Sequence, residues 1–289
     1  MTTHATLPFT PSVRQLLHAH YEMPTDAAPE RLAGGEESAA YRLGDAVVRI
    51  GGAGRDAADA EWCHAVATAA HRTVPEANAP LAARDGRTAI PADGLLVSVW
   101  PYVAGQWGDE EDPVHRAAAA RVLARTHRAL RAAPALGERP ARRPARPDAP
   151  DVADPELDRW LAGFDAGPGA ERQPVHGDFH VENVLLDPVG AVVAVLDWDE
   201  AHQGSALREA VHAAWEWGDC LYEGLEGARE FLAAYGTAVD DATLRGLVRE
   251  HLRSEISYAR AAHTRGAVLD AEQLAYTDDQ VKAFHALRC

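Results

Sequence analysis

Residues 174–199 bring together the side chains of this sequence that are best suited to chemistry. His176, Asp178 and Asn183 precede one short β-prone run, and Asp197 follows a second. Phosphoryl transfer needs a carboxylate directed at the attacking hydroxyl and a divalent metal on the nucleotide phosphates. Magnesium prefers oxygen ligands and keeps some of its waters, so one carboxylate and one amide can hold it. The types and spacing of these four residues therefore indicate phosphoryl transfer.

Two short strands must position these residues. The apolar run Val184 to Leu186 predicts one strand, and the run Ala191 to Leu196, which is too short for a helix, predicts a second. Asp187, Pro188 and Gly190 are typical turn residues and lie between the two runs. We therefore expect a loop that leads into a hairpin, with acidic residues at the end of the second strand.

The same residues have the spacing of a kinase catalytic loop, H-x-D-x-x-x-x-N, which a metal-binding Asp follows across a hairpin. The stretch H-G-D-F-H-V-E-N-V-L-L, followed by V-L-D-W-D, resembles the aminoglycoside phosphotransferase family, a small-molecule branch of the protein-kinase-like fold. The resemblance implies that Asp178 orients and deprotonates the acceptor hydroxyl. It implies that Asn183 and Asp197 bind Mg²⁺, and that His176 and Asp199 support the catalytic loop and the strand end.

A glycine turn near the N-terminus resembles the family's phosphate-covering loop. Residues 30–50 predict three strands, and Gly34-Gly35 marks the first turn. The segment G-G-E-E-S-A-A-Y, which includes Ser38, is similar to the family pattern G-G-x-x-[NS]-x-x-[YF]. Glycine permits close approach of backbone N–H groups to an anion. The resemblance therefore implies that Ser38 belongs to the nucleotide site.

Arg49 stands on the third predicted strand, where kinases place a phosphate-binding lysine. The only lysine of the chain is Lys282, so no lysine is present nearby. Arginine keeps the positive charge and can bind phosphate through two hydrogen bonds. Residues 56–72 predict a helix, and Glu61 on it is expected to pair with Arg49 and hold it over the phosphates. Asp59 is the possible substitute.

The segment W-P-Y-V-A-G, from Trp100 to Gly105, is similar to the hinge between the lobes of this family. Residues 80–99 predict two strands around Asp85-Gly86 before it. Backbone groups of Tyr102 and Val103 are expected to hydrogen-bond the purine, whose flat face suits an apolar slot.

After Asp199 the pattern predicts helices at about 205–217, 221–235, 240–264 and 270–287. Acidic and aromatic residues cluster just past the catalytic hairpin, and we expect Glu216, Trp217 and Asp219 to line the acceptor pocket. Such a pocket suits a cationic or amino-sugar acceptor, although burial of the tryptophan in the core is the plainer interpretation.

The expected fold class is α+β, a two-lobed protein-kinase-like fold with a small five-stranded antiparallel β lobe and a larger, mainly helical lobe. Residues 1–99 would form the nucleotide-binding lobe, residues 100–105 the hinge, and residues 106–289 the catalytic and acceptor-binding lobe. The resemblance implies a phosphotransferase that uses ATP or GTP with Mg²⁺ to phosphorylate a hydroxyl of a small molecule. An aminoglycoside or another antibiotic is the first expectation, with antibiotic resistance as the role. A kinase for homoserine, a sugar or an amino alcohol is the alternative.

Two other classes of protein remain open at this point. On a strand, His176, Asp178 and His180 would share one face and could bind a catalytic metal, with Asp197 or His202 added, as in a metal-dependent hydrolase. That interpretation leaves the amide at position 183 without a role. A nucleotide-binding regulator without catalysis is disfavoured because all the catalytic polar positions are filled.

The composition limits the partners. The chain has 289 residues, 47% of them hydrophobic, and a formal net charge of −16. This charge argues against nucleic acid and against an anionic membrane surface, and is compatible with a cationic acceptor. The three cysteines show no metal-binding or disulfide spacing. Without a signal-like N-terminus or a membrane-length apolar run, we expect a cytoplasmic monomer or homodimer.

Overall fold

The computed structural model describes residues 7–23, 28–33, 38–52, 54–140, 152–167, 171–264 and 270–288. Within these ranges a five-stranded antiparallel sheet forms the N-terminal part of the molecule, and helices dominate the rest. The predicted α+β class, with a small β lobe before a larger helical lobe, is confirmed. None of the helices in these ranges is long and apolar enough to cross a membrane.

The five-stranded sheet has the order β1-β2-β3-β5-β4. Its strands are β1 (Glu30–Arg31), β2 (Ser38–Leu43), β3 (Ala46–Gly51), β4 (Ile90–Ala92) and β5 (Leu95–Pro101). Arg49 lies on the central strand β3, opposite Ala40 of β2 and Ser98 of β5. Its neighbours Val48 and Ile50 are fully buried. Because side chains alternate along a strand, Arg49 points to the opposite face.

One face of this sheet is covered by α1 (Pro11–Tyr21). Thr10 caps the helix by accepting a hydrogen bond from the N–H of Val13 at 3.3 Å. Val13 and Leu17 are 1% exposed and pack in the same core as Val48 and Ile50. The apolar side of the sheet is thereby filled, and its polar side is left for the site.

The strand prediction around Asp85-Gly86 is wrong in position. β4 and β5 pair around Asp93-Gly94, where φ is +50° and +76°. Two successive residues with positive φ match the tight hairpin turn that Asp-Gly favours. The chain contains two Asp-Gly pairs, and the second one forms the hairpin. β5 also extends to Pro101, so the predicted lobe boundary at residue 99 falls within a strand.

The helix α2 (Ala57–His71) follows β3 and agrees with the predicted range. Asp56 caps it by accepting a hydrogen bond from the N–H of Asp59 at 2.9 Å. Trp62 and Val66 are buried in the larger core, which also contains residues of the C-terminal helices. The helix therefore connects the β lobe to the helical lobe.

Short strands hold the central loop. β6 (Gln106–Trp107), β8 (Val184–Leu186) and β9 (Val192–Val195) form one small sheet, and β7 (Gln173–Val175) pairs with β10 (His202–Gly204). A 3₁₀ turn spans Val181–Asn183. The loop that carries the predicted catalytic residues thus runs from β7 to β8, and the predicted hairpin corresponds to β8 and β9.

The helical lobe contains α3 (Pro113–Ala132), α4 (Pro155–Asp165), α5 (Ala206–Trp217), α6 (Cys220–Glu223), α7 (Glu226–Tyr235), α8 (Asp241–Thr264) and α9 (Ala271–Ala286). The single helix expected at 221–235 is divided into α6 and α7, because Gly224 adopts φ +79°. The sequence analysis also missed α4, which Asp154 caps by accepting hydrogen bonds from the N–H groups of Glu156 and Leu157.

Candidate active site

The backbone of one residue, Leu196, joins the loop that carries Asp178 to the hairpin end. The Nε2 of His176 donates to the carbonyl of Leu196 at 2.8 Å, and the N–H of Leu196 donates to the carbonyl of Asn183, also at 2.8 Å. Asp197 follows Leu196 directly and adopts φ +54°, a left-handed conformation that is uncommon for a non-glycine residue. The backbone hydrogen bonds on both sides of Leu196 therefore fix Asp197 relative to the loop that carries Asp178.

Asp178 is held at the exposed edge of this loop. The Nδ2 of Asn183 donates to its carboxylate at 3.0 Å and to its carbonyl at 2.8 Å, and its own N–H donates to the Nδ1 of His176 at 3.2 Å. Desolvation raises the pKa of Asp178, but the hydrogen bond and charge of His180 outweigh it, so the net direction is down. A carboxylate that stays ionised and is 46% exposed can accept a hydrogen bond from an incoming hydroxyl.

His176 orders the loop from beneath. It is fully buried, and its ring packs against Trp198 at 4.6 Å between centroids. Its Nε2 is a donor and its Nδ1 an acceptor in the contacts above, which corresponds to the neutral imidazole. This placement agrees with the support role that the sequence implied.

The buried carboxylate of Glu209 holds the loop backbone. This contact was not predicted from the sequence. It lies on α5 and accepts hydrogen bonds from the N–H of His176 at 3.2 Å and from the N–H of Gly177. His127 of α3 contacts it through Nε2 at 2.5 Å. The sequence signal was weak, because only the docking of α5 shows that this helix acid faces the loop.

Gly177 is required at its position in the loop. Its φ is +89°, and an added Cβ would lie 2.1 Å from the carbonyl oxygen of Glu200. A side chain would therefore meet both backbone strain and a backbone clash. The glycine lets the loop pass close to the segment that leads into β10.

Arg49 meets both acidic residues at the hairpin end. Its guanidinium donates to Asp197 at 3.2 Å, to Asp199 at 2.9 Å and to the hydroxyl of Ser38 at 3.2 Å. Burial disfavours the charged form, yet the two carboxylates raise the pKa of Arg49 above its usual value. The structure thus brings Arg49, Ser38, Asp197 and Asp199 to one place.

The donor set fits Mg²⁺. Asn183 supplies an amide oxygen and Asp197 a carboxylate, which are ligands that magnesium accepts alongside waters and phosphate oxygens. Desolvation raises the pKa of Asp197, and repulsion from Asp199 and Asp178 opposes the attraction of Arg49. A divalent cation would relieve this repulsion.

The hydrolase alternative finds no support in the geometry. In the structure both ring nitrogens of His176 make hydrogen bonds to the backbone. Within the described ranges, no group of three or more His, Cys, Asp or Glu side chains could hold a metal ion. The triad of His176, Asp178 and His180 is therefore not a metal site here.

The expected pair between Glu61 and Arg49 does not form. The carboxylate of Glu61 accepts hydrogen bonds from the N–H groups of Thr88 and Ala89 at 2.7 and 2.9 Å. The possible substitute Asp59 pairs with Arg139 at 2.5 Å. Both acids lie on the predicted helix, but each binds a partner other than Arg49. Glu61 accepts from backbone N–H groups, and Asp59 pairs with another arginine.

At the predicted hinge, Tyr102 uses its backbone N–H within the sheet, and a role of its carbonyl toward the purine stays a prediction. Its N–H donates to the carbonyl of Asp45 at 2.8 Å, which continues the pairing of β3 with β5 and engages this donor before any purine arrives. Its ring packs under the guanidinium of Arg42 at 3.8 Å. Val103 follows as the next residue of the predicted hinge, and its role stays a prediction. The glycine turn at Gly34-Gly35 lies outside the described residues.

The predicted acceptor pocket is only partly as expected. Glu216 accepts a hydrogen bond at 2.7 Å from His251 of α8, but Trp217 is fully buried and belongs to the core. Burial raises the pKa of Asp219, and so do Glu110, Glu223 and Glu111, which places it beside a different acidic group. Trp217 is therefore a core residue, and the acceptor role of Asp219 stays a prediction.

Two further residues, Glu255 and Tyr276, lie close enough to Glu216 for its charge to act on them. Desolvation raises the pKa of the exposed Glu255, and so does the charge of Glu216 and of Asp178. The pKa of Tyr276, which is 42% exposed, is raised by desolvation and then by Glu216 and Glu255. An acidic surface with an aromatic ring thus lies on the Asp178 side of α5, α8 and α9.

Comparisons with known proteins identify the family of this chain. The phosphotransferase enzyme family model (APH) matches residues 29–247. Among curated proteins, acyl-CoA dehydrogenase family member 11 of Gallus gallus is 37% identical over 59 residues. That match covers 20% of this chain and only 8% of that protein, so it spans a small part of the relative.

Solved structures share the fold over nearly the whole chain. Spectinomycin phosphotransferase, in complex with ADP and spectinomycin, has a TM-score of 0.68 at 14% identity and covers 97% of this chain and 99% of its own. Amicoumacin kinase, in complex with AMP-PNP and Ca²⁺, has a TM-score of 0.70 at 14% identity and covers 96% and 94%. A microcompartment-associated aminopropanol kinase has a TM-score of 0.70 at 17% identity and covers 95% of each chain. The kinase-like architecture is thereby confirmed, and the chain belongs to the phosphotransferase enzyme family.

Proposed function

We propose that this protein transfers the γ-phosphate of ATP or GTP to a hydroxyl of a small molecule that also carries an amine. The observation that carries the proposal is the meeting of Asp178, Asn183, Asp197 and Arg49 around the Leu196 peptide. Four separate polar groups with complementary roles in phosphoryl transfer are thus aligned by the backbone. We place the protein in the cytoplasm, where ATP and GTP are supplied.

Each residue has one role in this proposal. Asp178 accepts a hydrogen bond from the acceptor hydroxyl and takes its proton as the oxygen attacks. Asn183 and Asp197 would hold Mg²⁺, and Arg49 binds phosphate oxygens. Mg²⁺ held by these two residues would supply positive charge that offsets the charge developing on the phosphates. The lowered pKa of Asp178 keeps this carboxylate ionised near neutral pH.

The amine of the acceptor is proposed from the acidic surface next to Asp178. The carboxylates of Glu216 and Glu255 and the ring of Tyr276 suit an ammonium group, which carboxylates attract and aromatic faces accept. Aminoglycosides and other antibiotics that carry amines meet this description. An amino alcohol meets it too, and the aminopropanol kinase among the structural neighbours favours this second candidate.

The test is the formation of ADP by the full chain with a panel of hydroxylated amines and matched neutral alcohols. We expect turnover with at least one amine and none without Mg²⁺. Asp178→Ala and Asp197→Ala should abolish the phosphorylated product while thermal unfolding stays cooperative. Asp241→Ala is the control, because Asp241 is 66% exposed and pairs only at the surface with Arg229. Near-normal turnover in either active-site variant would refute these roles.

A further inference from the structure

Arg49 is anchored by the hairpin end rather than by α2. Kinases hold the cation of the third strand with a carboxylate on the helix that follows it. Here the carboxylate of Glu61 on that helix is bonded to two backbone N–H groups of residues 88 and 89. Asp199 instead binds Arg49, at 2.9 Å through its Oδ2. Asp199, at the hairpin end, therefore forms the ion pair with Arg49 that a carboxylate of α2 was expected to form.

A second arginine shares that oxygen. The Nη2 of Arg55 lies 2.7 Å from the Oδ2 of Asp199, the same atom that Arg49 contacts. Desolvation raises the pKa of Asp199, but the two guanidiniums overcome this and hold it well below its usual value. Two positive groups thus converge on one carboxylate oxygen, while Asp197 gives Arg49 a second carboxylate partner.

The position of Arg55 is built into the fold. It directly precedes Asp56, the cap of α2, and its side chain is only 19% exposed. The side chain passes over Gly51 at the end of β3, where an added Cβ would lie 2.6 Å from the Cδ of Arg55. Ser38, Arg49, Arg55 and Asp199 line one small cavity. The geometry directs Arg55 inward, to the same carboxylate oxygen of Asp199 that Arg49 contacts.

We propose that Arg55 and Asp199 together position Arg49 for the nucleotide phosphates, in place of a carboxylate from α2. This inference rests on the proposed function. Arg55 balances the charge of Asp199 and fixes in place the carboxylate oxygen that Arg49 contacts. Arg55 is thus a positioning residue that acts through Asp199 and Arg49.

The first measurement is calorimetric binding of ATP, ADP and adenosine to the full chain. Arg55→Gln should weaken ATP and ADP by about tenfold, because hydrogen bonds between charged groups are lost, and leave adenosine unchanged. Arg55→Lys keeps the charge and should recover part of the loss. It also gives a reading if the glutamine variant fails to fold. The control is Arg87→Gln, which removes an exposed arginine of the same lobe that pairs with Asp85.

A double-mutant cycle tests whether Arg55 acts through Arg49. In an Arg49→Gln background, Arg55→Gln should change ATP affinity by less than about twofold, since the coupled group is already gone. A full tenfold loss in that background would overturn the positioning role. So would an Arg55→Gln variant that equals the Arg87→Gln control. An equal loss of ATP affinity in Glu61→Gln would show that a carboxylate of α2 positions Arg49. That result would also overturn the positioning role of Arg55.

The two proposals fail in different ways. If the wild-type chain binds ATP and turns over an acceptor while Arg55→Gln has no effect, only the role of Arg55 is refuted. If the wild-type chain binds no nucleotide with or without Mg²⁺, the phosphotransferase proposal falls, and the role of Arg55 falls with it.

Discussion

Substitution of Glu209 offers the sharpest test of how the fold supports the site. Its carboxylate is 6% exposed as a side chain and accepts hydrogen bonds from two loop N–H groups while it contacts His127. Removing one partner of a buried charge pair costs about 3–5 kcal/mol. Each buried N–H group left without an acceptor costs about 1–3 kcal/mol, and these terms overlap rather than add.

We therefore expect Glu209→Ala to lower the free energy of unfolding by about 3–5 kcal/mol. Glu209→Gln keeps the shape and one acceptor, and should lower it by about 1–3 kcal/mol. Both should reduce turnover more than nucleotide affinity, because the loop that carries Asp178 loses its anchor. Urea unfolding followed by circular dichroism measures the first effect, and ADP formation measures the second.

The matched control is Glu230→Gln. Glu230 is 54% exposed and pairs at 2.5 Å with Arg116, and exposed pairs contribute only about 0–1 kcal/mol. If Glu209→Ala unfolds within about 1 kcal/mol of this control, the anchoring role of Glu209 is refuted.

The dependence on pH gives an independent check. Desolvation raises the pKa of Glu209, but its hydrogen bonds with His127 and with the N–H of Gly177 lower it further, so the net direction is below the usual 4.5. A lowered pKa in the folded state means that the stabilisation is complete above pH 4.5 and is lost as the pH falls through the folded value. The difference between the wild type and Glu209→Gln should be constant from about pH 7 to 5 and shrink below that. A difference that grows on acidification would contradict this sign.

Three further substitutions test separate parts of the site. Asp197→Asn should remove most of the Mg²⁺ dependence of ATP affinity, and calorimetry with and without Mg²⁺ would show unchanged dependence if another residue binds the metal. Gly177→Ala should destabilise the chain by about 1–3 kcal/mol more than Gly44→Ala in urea unfolding, because both glycines have positive φ but only Gly177 faces a backbone clash; equal losses would remove the clash from the explanation. Glu216→Gln should raise the KM of an amine acceptor about tenfold and leave that of a neutral alcohol unchanged, and a similar rise for both would refute ammonium recognition.

The local part of the site was predictable from the sequence. His176, Asp178 and Asn183 lie within eight consecutive residues, so their spacing alone fixes their mutual arrangement on one loop. Asp197 follows across a hairpin whose turn residues were recognisable. The fold class followed from the same residues through the resemblance to a known family.

The long-range contacts were not predictable in this way. Glu209 lies more than thirty residues from the loop backbone it binds, and the orientation of α5 decides its contact. Glu61 is on the expected helix, but the N–H groups of Thr88 and Ala89 in a neighbouring loop compete for it. The role of Arg55 was not predictable, because this residue precedes the cap of α2 and belongs to no periodic pattern.

The helix α5 carries two acids with different roles, and the distance between them bears on the size of the acceptor. Glu209 binds the backbone beside Asp178, and Glu216 faces the acidic surface seven positions later. Seven residues of α-helix rise roughly 10 Å and return to nearly the same side. In the proposed function, the helix therefore limits the distance between the phosphorylated oxygen and the amine nitrogen of the acceptor. Molecules whose hydroxyl and amine cannot both fit within that span would be poor acceptors, whatever their other groups.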